Sequence, residues 1–161
     1  MELILLRHGK AEKLTSGVVD FDRELTSAGR REVKDAVSGL ARYTGASAHI
    51  QIWTSPLPRA RQTARLAAEG LGHAPLTERP EIAKGDLEEL ASLWEKMDEK
   101  DVIIIVGHEP YLSEWCSRLT GAVIPFKTAA AAGIELKEPK ILQGKLRWFA
   151  HPGILARLGK S

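Results

Sequence analysis

Cysteine is nearly missing from this sequence, and Cys116 stands alone. One thiol cannot close an internal disulfide, which suits a reducing compartment, and its place in a helical apolar pattern makes Cys116 a core residue. Long apolar runs are missing as well. The longest, Val102 to Val106, reads as a strand and falls far short of the roughly 18 to 20 residues that span a bilayer, so no membrane role is expected. Charge of one sign is not in excess: 23 Lys and Arg face 21 Asp and Glu, a net +2 that gives no reason to expect nucleic acid as a partner. No Gly-x-Gly-x-x-Gly follows the first apolar run and no Gly-Lys-Ser/Thr occurs, which argues against a nucleotide site. With no Cys-x-x-Cys and no carboxylates paired at ligand spacing, neither a metal nor another cofactor is expected. Met1-Glu2 leads straight into apolar residues with no basic n-region and no small-residue cleavage site, which predicts a cytoplasmic protein.

What remains is enough for one domain over residues 1–161, with 43% apolar and 27% charged residues and a core that needs no staple. Leu3 to Leu6 reads as a buried parallel strand that ends in Arg7-His8-Gly9, followed by a polar loop from Lys10 to Glu24 with a turn at Ser16-Gly17. Thr26 caps a helix whose Val33, Ala36, Val37, Leu40 and Ala41 share one face and which Gly45 ends. Ile50 to Trp53 forms a second strand, Arg59 to Leu71 a helix, and His73 to Gly85 a loop with one brief strand at Leu76 to Glu78. Asp86 caps a further helix with a core stripe of Leu87, Leu90, Ala91, Trp94 and Met97. Val102 to Val106, apolar on both faces, belongs at the centre of a parallel sheet and ends in Gly107-His108-Glu109-Pro110. A helix follows, with Leu112, Trp115, Cys116 and Leu119 on one face and Gly121 at its end. Gly133 to Leu136 and Lys145 to Ala150 pair as a hairpin, and Leu155 to Leu158 makes a terminal helical turn. The order βαβαβαβ with long crossovers predicts an α/β three-layer α/β/α sandwich, mostly parallel with an antiparallel edge.

Two of these strands end in a histidine beside a glycine, and a third is followed by an arginine that opens a helix. Parallel strands line up their carboxyl ends, so Arg7, His8, Arg59 and His108 can meet in one crevice. Arginines grip phosphoryl oxygens bidentately and offset their charge, a histidine ring nitrogen can take the phosphoryl group covalently, and a second histidine adds hydrogen bonds. The arginines would repel a cation. Gly9 lets the backbone turn sharply and approach a ligand, and Lys10 would add positive charge at the rim. Further arginines cluster at Arg59, Arg61 and Arg65 and at Arg30 and Arg31, which suits a phosphorylated or acidic partner or a solvated helix face.

Three blocks carry a resemblance: Leu6-Arg7-His8-Gly9, then Thr54-Ser55-Pro56-Leu57-Pro58-Arg59-Ala60-Arg61-Gln62-Thr63-Ala64, then Val106-Gly107-His108-Glu109-Pro110. In order and strand context they resemble the signature of the histidine phosphatase, or phosphoglycerate mutase-like, superfamily. The short length and Asp22-Arg23-Glu24-Leu25-Thr26-Ser27-Ala28-Gly29-Arg30 are most similar to its SixA group of phosphohistidine phosphatases. The resemblance implies a phosphoglycerate mutase-like fold, His8 as the nucleophile, Arg7 and Arg59 as phosphate clamps, and His108 as the second histidine on the transferring group. Gly9 and Lys10 join Arg7, Arg59 and His108 as candidate substrate-binding residues.

Larger members carry a carboxylic general acid between the second and third blocks. Here that interval is short, and Glu81, Asp86 and Glu109 are candidates only. An imidazole leaving group needs less help from an acid than an alkoxide does, so the short interval suits phosphohistidine. Few lid insertions predict a shallow, open site that fits a protein surface. The expected partner is therefore a phosphohistidine-bearing protein acted on by a monomer. Small phosphoesters, protein phosphoserine or phosphothreonine, and a non-catalytic phosphate-binding role are the alternatives. Asp20 and Asp22, like Lys10, are either substrate contacts or solvated loop residues, with Asp22 a candidate for orienting an arginine.

Overall fold

The computed structural model describes residues 1–15, 17–46 and 49–161; Ser16, half of the expected Ser16-Gly17 turn, lies outside them. Six strands, β1 (Glu2–Arg7), β2 (His49–Thr54), β3 (Leu76–Glu78), β4 (Asp101–Gly107), β5 (Ala131–Glu135) and β6 (Lys145–Ala150), form one sheet in the order β3-β2-β4-β1-β5-β6. The β1–β4, β2–β4 and β2–β3 pairs are parallel, while β5 runs antiparallel to both β1 and β6. That is the expected mixed sheet with an antiparallel edge. Among the described residues no helix is long and apolar enough to cross a membrane.

Side chains alternate across a strand, and the two central strands are apolar at every step, so both faces need a cover. Leu3, Leu5, Ile103 and Ile105 point to one side, into a core with Trp53, Trp94 and Trp115. The helices α3 (Pro80–Lys84), α4 (Leu87–Trp94) and α5 (Tyr111–Thr120) supply Ile82, Leu87, Leu90 and Leu112 to it, and Cys116 lies buried there. Ile4, Leu6, Ile104 and Val106 point the other way, against α1 (Ser27–Thr44), α2 (Pro58–Gly70) and α6 (Pro152–Lys160) through Val33, Val37, Leu40, Ala60, Ala64 and Leu155.

The start and end signals of α1 act as expected: the Thr26 side chain accepts a hydrogen bond from the Gly29 amide, and the chain leaves the helix at Gly45 with a φ of 68°. Two helical segments exceed the expectation. Residues 80–84 form a helix where a loop is expected, opened by Pro80 and ended by Gly85 in the left-handed region. The terminal helix runs from Pro152, well before Leu155, because a proline at its first position is preset for helical φ. Met97 lies beyond the end of α4 and packs against the core from the following turn.

Candidate active site

The register of the sheet sets the site. Arg7 on β1 lies beside Gly107 on β4, and Thr54 on β2 beside Val106. Each strand therefore runs out at the same level and hands its next residues to one crevice: the His8 amide donates to the Gly107 carbonyl (3.1 Å) and the Ser55 amide to that of Val106 (3.1 Å). The rings of His8 and His108 come to a centroid separation of 5.2 Å at 54°. Pro58 opens α2 immediately after β2, so Arg59 falls in the first turn, facing the same crevice. His8, Arg59 and His108 are all buried and Arg7 is half-buried, although all four are chargeable groups at or just beyond a strand end.

His8 is held by its own neighbour. Nδ1 lies 2.7 Å from the Gly9 carbonyl, an acceptor only, so Nδ1 carries the proton and Nε2 keeps its lone pair. Gly9 is fixed in turn: its amide donates to Thr63 Oγ1 (3.0 Å), whose hydroxyl donates to the Arg59 carbonyl (2.8 Å). One buried hydroxyl thus ties the loop after His8 to the turn that carries Arg59. No side chain fits at Gly9, where a Cβ would sit 2.5 Å from Val33 Cγ2. At Gly29 a Cβ would run into the Lys10 carbonyl, so the start of α1 lies directly against the chain leaving His8.

Burial is the main cause that lowers the His8 pKa, to about 3, reinforced by His108, Arg59 and Arg7 and opposed by the Gly9 hydrogen bond. The same desolvation, with Arg59 and Arg7 nearby, lowers His108 to about 4. Both rings are neutral near pH 7, which a nitrogen nucleophile requires. His108 Nε2 shares a hydrogen bond with Ser55 Oγ (2.7 Å), and that oxygen also accepts from the Leu57 amide (3.2 Å). Nδ1 of His108 is buried with no partner among the described residues.

The arginines are braced at one edge and open at another. Arg7 Nη1 donates to the Phe126 carbonyl (2.7 Å), and Arg59 Nη1 to that of Asp20 (2.9 Å). The Asp20 carboxylate accepts from Arg23 Nε (2.9 Å) and lies 3.7 Å from Arg59 Nη2. Asp20, and not Asp22, is therefore the loop acid that orients arginines: it heads a single 3-10 turn over residues 20–22 that sets its carbonyl and carboxylate toward Arg59, while Asp22 has no arginine partner among the described residues. The buried Nε of Arg7 and of Arg59 has no partner among the described residues. Burial lowers both guanidinium pKa values, and each remains a cation. The Ala129 amide, in a left-handed residue with φ 60°, donates to the Arg7 and His8 carbonyls (3.1 Å each) and pins the strand end from the far side.

The three candidate acids have different surroundings. The Asp86 side chain caps α4 by accepting from the Glu89 amide (3.1 Å). Glu109 accepts from the Ser113 amide (2.9 Å) and from its hydroxyl at the start of α5, and its charge is felt by Arg7. Glu81, on α3, has one carboxylate oxygen buried without a partner among the described residues. Lys10 is exposed at the rim, and its carbonyl accepts from the Thr26 amide (3.0 Å). Ser55, Thr63 and Arg23 join the site without being singled out in sequence for it, and Asp20, weighed there as a substrate contact, is found bracing arginines. Thr63 had a legible signal, since it lies four residues after Arg59 on the same helix face. Phe126 had none, because only its carbonyl acts.

The fold agrees with that of known proteins. The model of the histidine phosphatase superfamily (branch 1) matches residues 3–103. No curated protein matches the sequence. A solved structure of the protein histidine phosphatase SixA complexed with tungstate superposes with a TM-score of 0.82 at 22% identity, covering 96% of this chain and 99% of that one. A candidate phosphohistidine phosphatase SixA from Agrobacterium tumefaciens gives 0.73 at 25% identity, covering 94% and 98%. The alpha-ribazole phosphatase from Shigella flexneri also gives 0.73, at 19% identity, covering 94% and 97%.

Proposed function

Because this chain belongs to the histidine phosphatase superfamily, we propose that it hydrolyses phosphohistidine on a protein partner, without a metal, through a phosphoryl group carried on His8. The observation that carries the reading is the Gly9 carbonyl on His8 Nδ1, which leaves Nε2 as an unprotonated nucleophile in a crevice with two arginines and a second neutral histidine. The SixA relative is complexed with tungstate, an oxyanion, which supports an anionic ligand for a protein of this fold.

In the first step the Nε2 lone pair forms a bond to phosphorus as the substrate's P–N bond breaks. The electron pair goes to the departing imidazole, which takes up a proton. Arg7 and Arg59 hold the equatorial oxygens through nitrogens that the described residues leave unpaired, and His108 adds a further contact from Nδ1. In the second step water attacks phosphorus, the P–N bond to His8 breaks, the water's proton is released, and inorganic phosphate and neutral His8 are restored. Imidazole protonates readily, so the departing group needs no strong acid. This fits a site in which Asp86 and Glu109 already serve helix starts.

Rapid-quench mass spectrometry tests the reading. Wild-type protein mixed with a phosphohistidine protein should show an acid-labile phosphoryl adduct and turn over faster than with an aryl phosphate; His8→Ala should show no adduct and no turnover. A preference for the ester moves the substrate class to phosphoesters, and phosphate binding without any adduct leaves only a binding role.

A further inference from the structure

The crevice is bordered by two segments that expose large apolar side chains. On one side the turn at residues 20–22 is bound to a clamp through the Asp20 carbonyl and Arg59; it carries Phe21 (49% exposed), and Val19 (64% exposed) immediately precedes it. On the other side, residues 122–130 lead into β5. Ala131 at its start lies opposite Leu6, so this segment reaches the same edge of the sheet as His8. It is bound to the other clamp through the Phe126 carbonyl and Arg7, and it carries Val123 (86% exposed). Both segments are tied to the phosphate-binding arginines, yet these side chains face solvent, where each has unfavourable hydration and little cover from the fold.

We infer that Val19, Phe21 and Val123 form an apolar rim on which the protein carrying the phosphohistidine docks. The inference rests on the function proposed above. A small phosphorylated molecule would lie inside the cationic crevice and leave the rim untouched. Phosphohistidine in a protein cannot, because its side chain is short: with phosphorus at His8 Nε2, the donor's backbone and neighbouring side chains come against the mouth. The chemistry divides accordingly. Arg7 and Arg59 complement the phosphoryl charge, while the rim contributes affinity for the carrier by burying apolar surface, of which a few side chains supply most.

The test is steady-state kinetics of Phe21→Ser and Val123→Ser on two substrates: a helical phosphotransfer domain phosphorylated on its histidine with phosphoramidate, and an aryl phosphate. Ile141→Ser is the control, since Ile141 is equally exposed (47%) but lies between β5 and β6 at the opposite end of the sheet. In both rim variants kcat/KM for the phosphoprotein should fall roughly tenfold, expressed in KM, with aryl phosphate turnover unchanged. The control should change neither. An unchanged KM for the phosphoprotein in both variants, or an equal loss on both substrates, overturns the docking rim. If the wild type forms its phosphoenzyme from the aryl phosphate but does not act on the phosphoprotein, the proposed substrate class fails first, and the rim with it.

Discussion

At the residue scale the site depends on a hydroxyl as much as on its charged groups. Thr63 is fully buried, and its oxygen joins the Gly9 amide to the Arg59 carbonyl. Thr63→Val keeps the shape and removes the acceptor, leaving a buried N–H unpaired at a cost of about 1–3 kcal/mol. Expected is a lower melting temperature together with a fall in kcat larger than any rise in KM, and recovery of kcat in Thr63→Ser; a serine variant as slow as the valine one would show that the hydroxyl does not position His8. Arg7, His8 and His108 were legible because strand ends announce themselves: an apolar run that stops at Arg-His-Gly or Gly-His has few other places to put such groups, and Arg59 was legible because it opens the helix after another strand. Ser55 and the Phe126 carbonyl were not, since each acts by where the fold brings it.

At the element scale, helix α1 props the loop that follows His8. Its first turn touches the Lys10 carbonyl at Gly29, where a methyl group has no room. Gly29→Ala should push residues 9–10 away from α1 and tilt the His8 ring, lowering kcat on the order of 100-fold while circular dichroism still shows a folded chain. Gly153→Ala is its counterpart, because nothing lies within 4 Å of a Cβ there, and it should leave turnover unchanged. Turnover retained by Gly29→Ala would show that the loop is held elsewhere. Long elements such as α1 and β4 were readable from their periodicity. Helix α3 was not: over residues 80–84 it is too short to show a period, and its existence depends on Ile82 reaching the core beneath Gly107.

For the whole molecule, two buried neutral histidines mean sensitivity to acid. Unfolded, each binds a proton below its ordinary pKa of 6.5; folded, His108 does so only near 4 and His8 near 3. Between those values the unfolded chain holds more protons, so stability rises with pH and is lost as pH falls from 6.5 toward 4 and below. Thermal melts across that window should show a steep drop for the wild type and a shallower one for His8→Asn and His108→Asn; parallel curves for all three would remove the histidines as the cause.

The strand that leads into His8 finds both of its neighbours late in the chain. β1 pairs with β4 and β5, and Arg7 is braced by a carbonyl 119 positions away. On a ribosome His8 is therefore made long before these partners and stays an ordinary solvated imidazole until they have followed. Only when the segment before β5 emerges can the histidine be desolvated and its arginine be fixed. Reactivity is thus an outcome of complete folding, and a nascent or truncated chain ending before that segment carries the motif without the chemistry.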